Sequence, residues 1–112
     1  MKQWIATALI CVALSPATAA EPDLQVTRAG TRTTRAAAPA HFSGQATVDM
    51  LHVAAAPART SIGTVTFAPG ARTAWHTHPL GQTLIVTAGI GRVQRWGGDV
   101  VDMRVGDVVH IP

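Results

Sequence analysis

Short runs of strand-favouring residues, separated at close intervals by turn residues, are the feature that most limits how this chain can fold. The runs are rich in Val, Ile and Thr and cover approximately residues 45–53, 60–67, 73–78, 82–87, 92–96, 100–103 and 108–111. Glycine-containing turns such as Gly97-Gly98-Asp99 and Gly106-Asp107 separate them. Because this spacing leaves no room for crossover helices, the sequence predicts an all-β, antiparallel fold, either a double-sheet jelly roll or a small barrel.

Residues 1–20 have the pattern of an export signal. Lys2 precedes an apolar stretch over 4–14, and small residues follow at 17–20. The apolar stretch is shorter than the ~20 residues that a membrane-spanning helix needs. We therefore expect cleavage near Ala19 or Ala20, a periplasmic or secreted protein, and no association with a membrane after cleavage.

Residues 21–40 are mostly Ala, Thr, Arg and Pro without a hydrophobic period, which predicts an N-terminal arm or an irregular edge segment. Residues 41–112 then form a single domain. The chain carries a formal net charge of +3. Three arginines cluster in the arm, at Arg28, Arg32 and Arg35, but no aromatic residue lies among them. This pattern favours a solvated arm over a nucleic-acid interface.

Two histidines and a glutamine supply the one pattern that indicates chemistry. On an extended strand over 73–78, His76 and His78 would point to the same face. A short turn, Pro79-Leu80-Gly81, would bring the carboxamide oxygen of Gln82 to the same point. Imidazole suits several first-row metals, and a hard amide oxygen favours Mn or Fe among them. The sequence thus predicts a metal site, and the alternative is a hairpin end with two surface histidines.

The spacing G-x5-H-x-H-x3-Q-x6-G, from Gly70 to Gly89, resembles the first motif of the cupin superfamily, in which the fourth polar position is most often Glu. Residues 67–89 resemble in particular the manganese-dependent cupin hydroxynitrile lyases of bacteria, which also carry Gln there. This resemblance covers residues 61–112. It implies a cupin barrel, which is an antiparallel double-stranded β-helix. It also implies a divalent metal at His76, His78 and Gln82, with Mn favoured and Fe or Zn as alternatives.

The same resemblance implies roles for residues around the metal. Thr73 would form a hydrogen bond with the hydroxyl group of the substrate, although a plain strand threonine is the alternative. The wall of the substrate pocket would be formed by Gly63, Val65 and Phe67. The implied reaction is the cleavage or formation of small α-hydroxynitriles, with an aldehyde and cyanide as the other products or reactants. Two alternatives stay open: a metal-dependent dioxygenase of small aromatic or enolic substrates, and a non-catalytic cupin that binds a metal or ligand.

Residues 106–112 resemble the opening of the second cupin motif, G-x5-P-x-G-x2-H, whose histidine completes the metal shell in the family. The expectation is that the domain is truncated within this motif, so that the C-terminal strands of the barrel are missing. His110 precedes the proline of the motif and is not assigned as a ligand. By analogy with the family, we expect a small-molecule substrate and a homodimer.

Overall fold

The computed structural model describes residues 19–21 and 23–112. Apart from Ala19 and Ala20, the predicted export signal therefore lies outside the described residues. All regular elements in this part of the chain are β-strands: β1 (Arg35–Ala36), β2 (Phe42–Ser43), β3 (Ala46–His52), β4 (Ile62–Phe67), β5 (Arg72–Thr73), β6 (Gln82–Ile85), β7 (Ile90–Gln94), β8 (Val100–Arg104) and β9 (Val108–Ile111). Every pairing is antiparallel. The predicted all-β, antiparallel fold is confirmed.

The first long hairpin pairs β2 and β3 with β5 and β4. Ala46 lies opposite Phe67 in the ladder of β3 and β4, and Phe42 lies opposite Thr73 in the ladder of β2 and β5. Residues 53–61 close the hairpin at its far end. Gly44 lies so close to the neighbouring strand that a Cβ there would be 2.9 Å from the Cα of Ala71. The hairpin therefore needs glycine at this bend.

The second long hairpin pairs β6 with β9 and β7 with β8. Between the two ladders, the Val86 amide donates to the carbonyl of Asp107, and the Gly106 amide donates to the carbonyl of Val86, both at 3.0 Å. The register of the β7–β8 ladder is offset by one residue from that of the β6–β9 ladder. An extra residue on one strand bends a hairpin. The hairpin thus changes direction at this point and continues to its turn at residues 95–99.

Residues 74–81 connect the two hairpins and belong to no strand. Trp75, in this connection, packs edge to face against Trp96 in the turn of the second hairpin, with ring centroids 5.0 Å apart and an interplanar angle of 81°. Such pairs stabilise by about 0.5–1.5 kcal/mol beyond the burial of their area. The connection is therefore held against the second hairpin immediately before His76.

The predicted strand over residues 73–78 is wrong beyond Thr73. The backbone amide of Ala74 still donates to the carbonyl of His41 at 2.7 Å, but strand pairing goes no further. The carbonyl of Ala74 accepts instead from the Nδ1 atom of the His76 side chain, at 2.8 Å. Side chains that bond locally to the backbone compete in this way with ladder hydrogen bonds.

Residues 21–40, predicted as an arm or an irregular edge segment, contain one short strand. Arg35 and Ala36 form β1, which lies along β3 with Arg35 opposite Val48. The amide of Ala37 continues the contact by donating to the carbonyl of Ala46 at 2.9 Å. An unpaired strand edge offers backbone donors and acceptors to any extended segment, so this pairing depends on the edge of β3 rather than on the composition of the arm.

Alternation in exposure identifies the inner face of the second hairpin. Gln82 and Leu84 are half-buried, while the residues between and after them are exposed. Their partners on the same face of β9, Val109 and Ile111, are half-buried as well. Ala46 is the one apolar residue classed as buried within the described part of the chain. The inner faces thus remain partly accessible. This part of the chain contains no helix with the length and apolar character needed to cross a membrane.

Candidate metal centre

The imidazoles of His76 and His78 meet in the connection between the two hairpins. Their Nε2 atoms are 3.1 Å apart. Their ring centroids are 4.9 Å apart, and the ring planes cross at 76°. The structure thus brings together two of the three predicted ligands, although it does so from an irregular segment and not from one face of a strand.

The hydrogen bond to Ala74 determines which nitrogen of His76 is free. A carbonyl oxygen can only accept, so Nδ1 of His76 carries a proton and donates it over 2.8 Å. A neutral imidazole with a proton on Nδ1 has its lone pair on Nε2, the atom that faces His78. Metal-binding histidines are commonly oriented in this way, by donation from the second ring nitrogen to a backbone carbonyl. The position of this proton therefore prepares His76 to act as a ligand.

The separation of the two Nε2 atoms fits a shared cation. Two imidazole nitrogens at ~2.1 Å from one ion are about 3.0 Å apart when they bind at a right angle and about 3.4 Å apart in a tetrahedron. The observed 3.1 Å lies between these two values, and it is also the length of a hydrogen bond between the two rings. The two imidazoles are therefore close enough to share one divalent cation.

Gln82 begins β6 and occupies the half-buried inner face, opposite Ile111. Its carboxamide forms no hydrogen bond with another described side chain or backbone group, so its oxygen is available to a ligand. No cluster of three or more His, Cys, Asp or Glu side chains with metal-binding geometry occurs among residues 19–21 and 23–112. A site at this place consequently depends on the amide oxygen of Gln82 in addition to the two imidazoles, and its donor set carries no formal charge.

The turn that joins His78 to Gln82 requires glycine at position 81. Gly81 has φ of +79°, and a Cβ there would be 2.6 Å from the carbonyl oxygen of Ile111. Its amide donates to the carbonyl of His78 at 3.1 Å. Both the positive φ and the close approach of β9 exclude a side chain. Gly81 thus sets the position of the loop histidines relative to Gln82.

Phe42, which no motif in the sequence indicated, joins Thr73 to the predicted pocket wall. Thr73 lies opposite Phe42 in the ladder of β2 and β5. The ring of Phe42 packs against the ring of Phe67 with a centroid separation of 5.9 Å. Gly63 and Val65 lie on the same face of β4 as Phe67, and Val65 is 39% exposed. The four predicted residues therefore follow one surface, and their contact with substrate stays a prediction.

His110 does not share the face of Gln82. It lies opposite Thr83 in the ladder of β6 and β9, and its Nδ1 atom is 3.2 Å from the hydroxyl oxygen of Thr83. Neighbouring residues of a strand point to opposite faces, so His110 and Gln82 point away from each other. This placement agrees with leaving His110 out of the metal site.

Arg59 and Leu80, for which the sequence predicted no role in the site, lie beside His78. A hollow of about 410 Å³ is lined by Arg59, His78, Pro79, Leu80 and Gly81. The apolar side chain of Leu80 is 76% exposed. Arg59 belongs to the loop between β3 and β4, distant in sequence from the histidines, and no local motif indicated that it would reach them.

Comparisons with known proteins support this fold. A family model described as a cupin domain matches residues 63–112. The chain is also similar to the (R)-mandelonitrile lyase of Granulicella tundricola, with 50% identity over 86 residues that cover 77% of this chain and 66% of that protein. The chain thus spans just under two thirds of the length of that relative. With an antiparallel all-β fold and a cupin motif at residues 70–89, residues 63–112 of this chain form a cupin domain.

Proposed function

We propose that this chain acts as a metal-dependent hydroxynitrile lyase, which cleaves small α-hydroxynitriles to an aldehyde and cyanide or forms them in reverse. The observation that carries the proposal is the 3.1 Å approach of the Nε2 atoms of His76 and His78, with Gln82 on the adjoining strand. The 50% identity to an (R)-mandelonitrile lyase supports the same reaction class. Mandelonitrile is therefore the first substrate to test.

The proposed donor set consists of His76, His78 and Gln82, and Mn²⁺ is the favoured ion. All three side chains are neutral as ligands, so they leave the full charge of a divalent cation uncompensated. When bound, such an ion would act as a Lewis acid toward an oxygen of the substrate. Gln in place of the Glu that is more common in cupins favours this role, because a carboxylate would reduce the effective charge.

The reaction needs one proton to leave the substrate hydroxyl group and one to reach the departing cyanide. The C–CN bond breaks, its electron pair leaves with cyanide, and the oxygen–carbon bond becomes the carbonyl group of the aldehyde. The proposed role of Thr73 is to orient the hydroxyl group through a hydrogen bond. The side chains of Val65 and Phe67 would cover the apolar part of the substrate, and the small Gly63 would leave space for it.

The proposal is tested by measuring cyanide release from racemic mandelonitrile under anaerobic conditions, with protein loaded with Mn²⁺. Release without oxygen is expected, at a rate proportional to the protein concentration, and a preference for one enantiomer should accompany it. His76→Ala and His78→Ala should each remove the rate and lower the affinity for the metal. His52→Ala, an exposed histidine on β3, is the matched control and should retain both.

Two results would contradict the proposal. Turnover of enolic or aromatic compounds that requires oxygen, without cyanide release, would favour a cupin dioxygenase. Binding of one metal ion per chain without turnover of any cyanohydrin would favour a non-catalytic cupin.

We also propose that the protein is exported and that it forms a homodimer. Secretion is tested by identifying the N-terminus of the protein isolated from its native host, which we expect near Ala19 or Ala20. Homodimer formation is tested by light scattering across a range of concentrations. The partly accessible inner faces, including Phe67 at 45% exposure, provide apolar surface for such an association.

A further inference from the structure

The hollow beside His78 contains an arginine that the proposed reaction does not use. Its lining residues are Arg59, His78, Pro79, Leu80 and Gly81, and its volume is about 410 Å³. Pockets for small molecules commonly range from about 300 to 1,000 Å³. Since His78 is also a proposed metal ligand, any compound in this hollow would lie beside the reacting centre.

Arg59 is presented to this hollow by the loop of residues 53–61. The amide of Ala54 donates to the hydroxyl oxygen of Ser61 at 2.9 Å, which closes the base of the loop. Arg59 itself is exposed. Its guanidinium group forms neither an ion pair nor a hydrogen bond with the part of the chain that the structure describes. Five donors therefore remain available to a ligand.

No carboxylate among the described residues forms an ion pair with Arg59. No Asp or Glu lines the hollow. Asp102 pairs with Arg92 across β7 and β8 at 3.1 Å, and Asp107 accepts from the backbone amide of Arg104 at 2.8 Å. The hollow thus combines the positive charge of Arg59 with the charge of the proposed cation, and no acidic side chain in its lining compensates them.

We propose that Arg59 binds a carboxylate group of the substrate, so that the preferred substrates are small hydroxynitriles or aldehydes that carry a carboxylate. A guanidinium group presents two parallel N–H donors that match the two oxygens of a carboxylate. Pro79 and Leu80 add apolar surface to the lining that contains Arg59 and His78, which suits a short hydrocarbon or aromatic spacer. This inference rests on the proposed lyase function for the reaction, and on the geometry of the hollow for the charged group.

The direct test is calorimetric binding of benzoate and of its neutral analogue benzamide to the metal-loaded protein. We expect benzoate to bind, and Arg59→Gln to weaken its affinity by about tenfold or more, because a charge-assisted bidentate contact is lost. Arg32→Gln removes the same charge from the arm and is the matched control. It should leave benzoate affinity within about twofold, since separated exposed charges are largely screened by salt.

Three results would overturn the inference. Benzoate affinity could be the same in Arg59→Gln as in the unaltered protein, which would mean that the carboxylate binds elsewhere. Arg32→Gln could weaken it equally, which would indicate a general effect of net charge. Cyanide could bind in the hollow although benzoate does not, which would mean that Arg59 binds the small anion alone.

A kinetic arm separates this inference from the lyase proposal. The ratio of kcat/KM for a carboxylate-bearing mandelonitrile to kcat/KM for mandelonitrile should fall by about tenfold in Arg59→Gln, mainly through KM. If no cyanohydrin is cleaved but benzoate binding still depends on Arg59, the lyase proposal fails and the carboxylate site stands. If cyanohydrins are cleaved and the ratio does not change, the carboxylate site fails and the lyase proposal stands.

Discussion

Gly81 approaches Ile111 so closely that a Cβ on the glycine would be 2.6 Å from the carbonyl oxygen of the isoleucine. This contact joins the turn after His78 to the last strand of the second hairpin. It also explains why the turn between the loop histidines and Gln82 contains glycine and not another small residue.

Replacing Gly81 by Ala should therefore weaken both the fold and the metal site. A left-handed φ costs an L-residue roughly 1–2 kcal/mol, and the contact with Ile111 adds to this because backbone must move. Gly70→Ala is the matched control: Gly70 has the same φ of +79°, but no atom lies within 4 Å of its Cβ position. Denaturant unfolding should give a larger loss for Gly81→Ala than for Gly70→Ala. Equal losses would mean that the approach of Ile111 has no effect.

The contact between Trp75 and Trp96 should contribute to metal affinity as well as to stability. Trp96→Ala removes the edge-to-face partner of Trp75, and we expect a loss of about 1 kcal/mol in the free energy of unfolding. Because Trp75 precedes His76 directly, the dissociation constant for Mn²⁺ should increase several-fold. Val100→Ala, at an exposed position near the same turn, is the control. An unchanged metal affinity in Trp96→Ala would show that the tryptophan pair does not position the histidine.

Changing Gln82 to Glu should separate metal affinity from Lewis acidity. An added carboxylate strengthens the attraction for a divalent cation, so the affinity for Mn²⁺ should increase by on the order of tenfold. The same charge reduces the polarising effect of the ion, and kcat should decrease by on the order of tenfold. Competition with a calibrated chelator measures the first effect, and anaerobic cyanide release measures the second. A parallel increase in both would contradict the proposed role of the neutral amide.

Thr73 is tested with two substitutions, each of which changes one group of the side chain. Thr73→Val keeps the shape of the side chain and the strand preference but removes the hydroxyl group, and kcat/KM for mandelonitrile should fall about tenfold, as expected for one lost hydrogen bond. Thr73→Ser keeps the hydroxyl group and should retain most of the activity. Metal content and Tm should stay nearly constant in both variants. Equal activity in the Val and Ser variants would show that Thr73 contributes only to strand β5 and forms no hydrogen bond with the substrate.

The pattern of strands and turns was predictable because each run alternates with glycine-containing turns, and β3, β4 and β9 occur close to the predicted ranges. The end of β5 at Thr73 was not predictable, because it depends on a side-chain hydrogen bond from His76 to the Ala74 carbonyl. The position of β1 was not predictable, because the arm has no periodicity of its own and β1 uses the free edge of β3.

The residues of the candidate site also divide into those that the sequence predicted and those that it did not. The spacing of His76, His78 and Gln82 selected them without a structure, since ligands close in sequence need only a short loop to meet. Arg59 lines the hollow beside His78 from the loop between β3 and β4, and Phe42 lies opposite Thr73 in the ladder of β2 and β5. Contacts between residues so distant in sequence are set by register and bends, which composition and spacing do not encode.

The most direct test of the metal centre is electron–nuclear double resonance on protein loaded with Mn²⁺. We predict nitrogen hyperfine couplings from two histidine side chains, with one coupling lost in His76→Ala, the other lost in His78→Ala, and neither changed in His52→Ala. Absence of nitrogen couplings in the unaltered protein, or couplings that persist when both His76 and His78 are replaced, would contradict a cation shared by these two imidazoles.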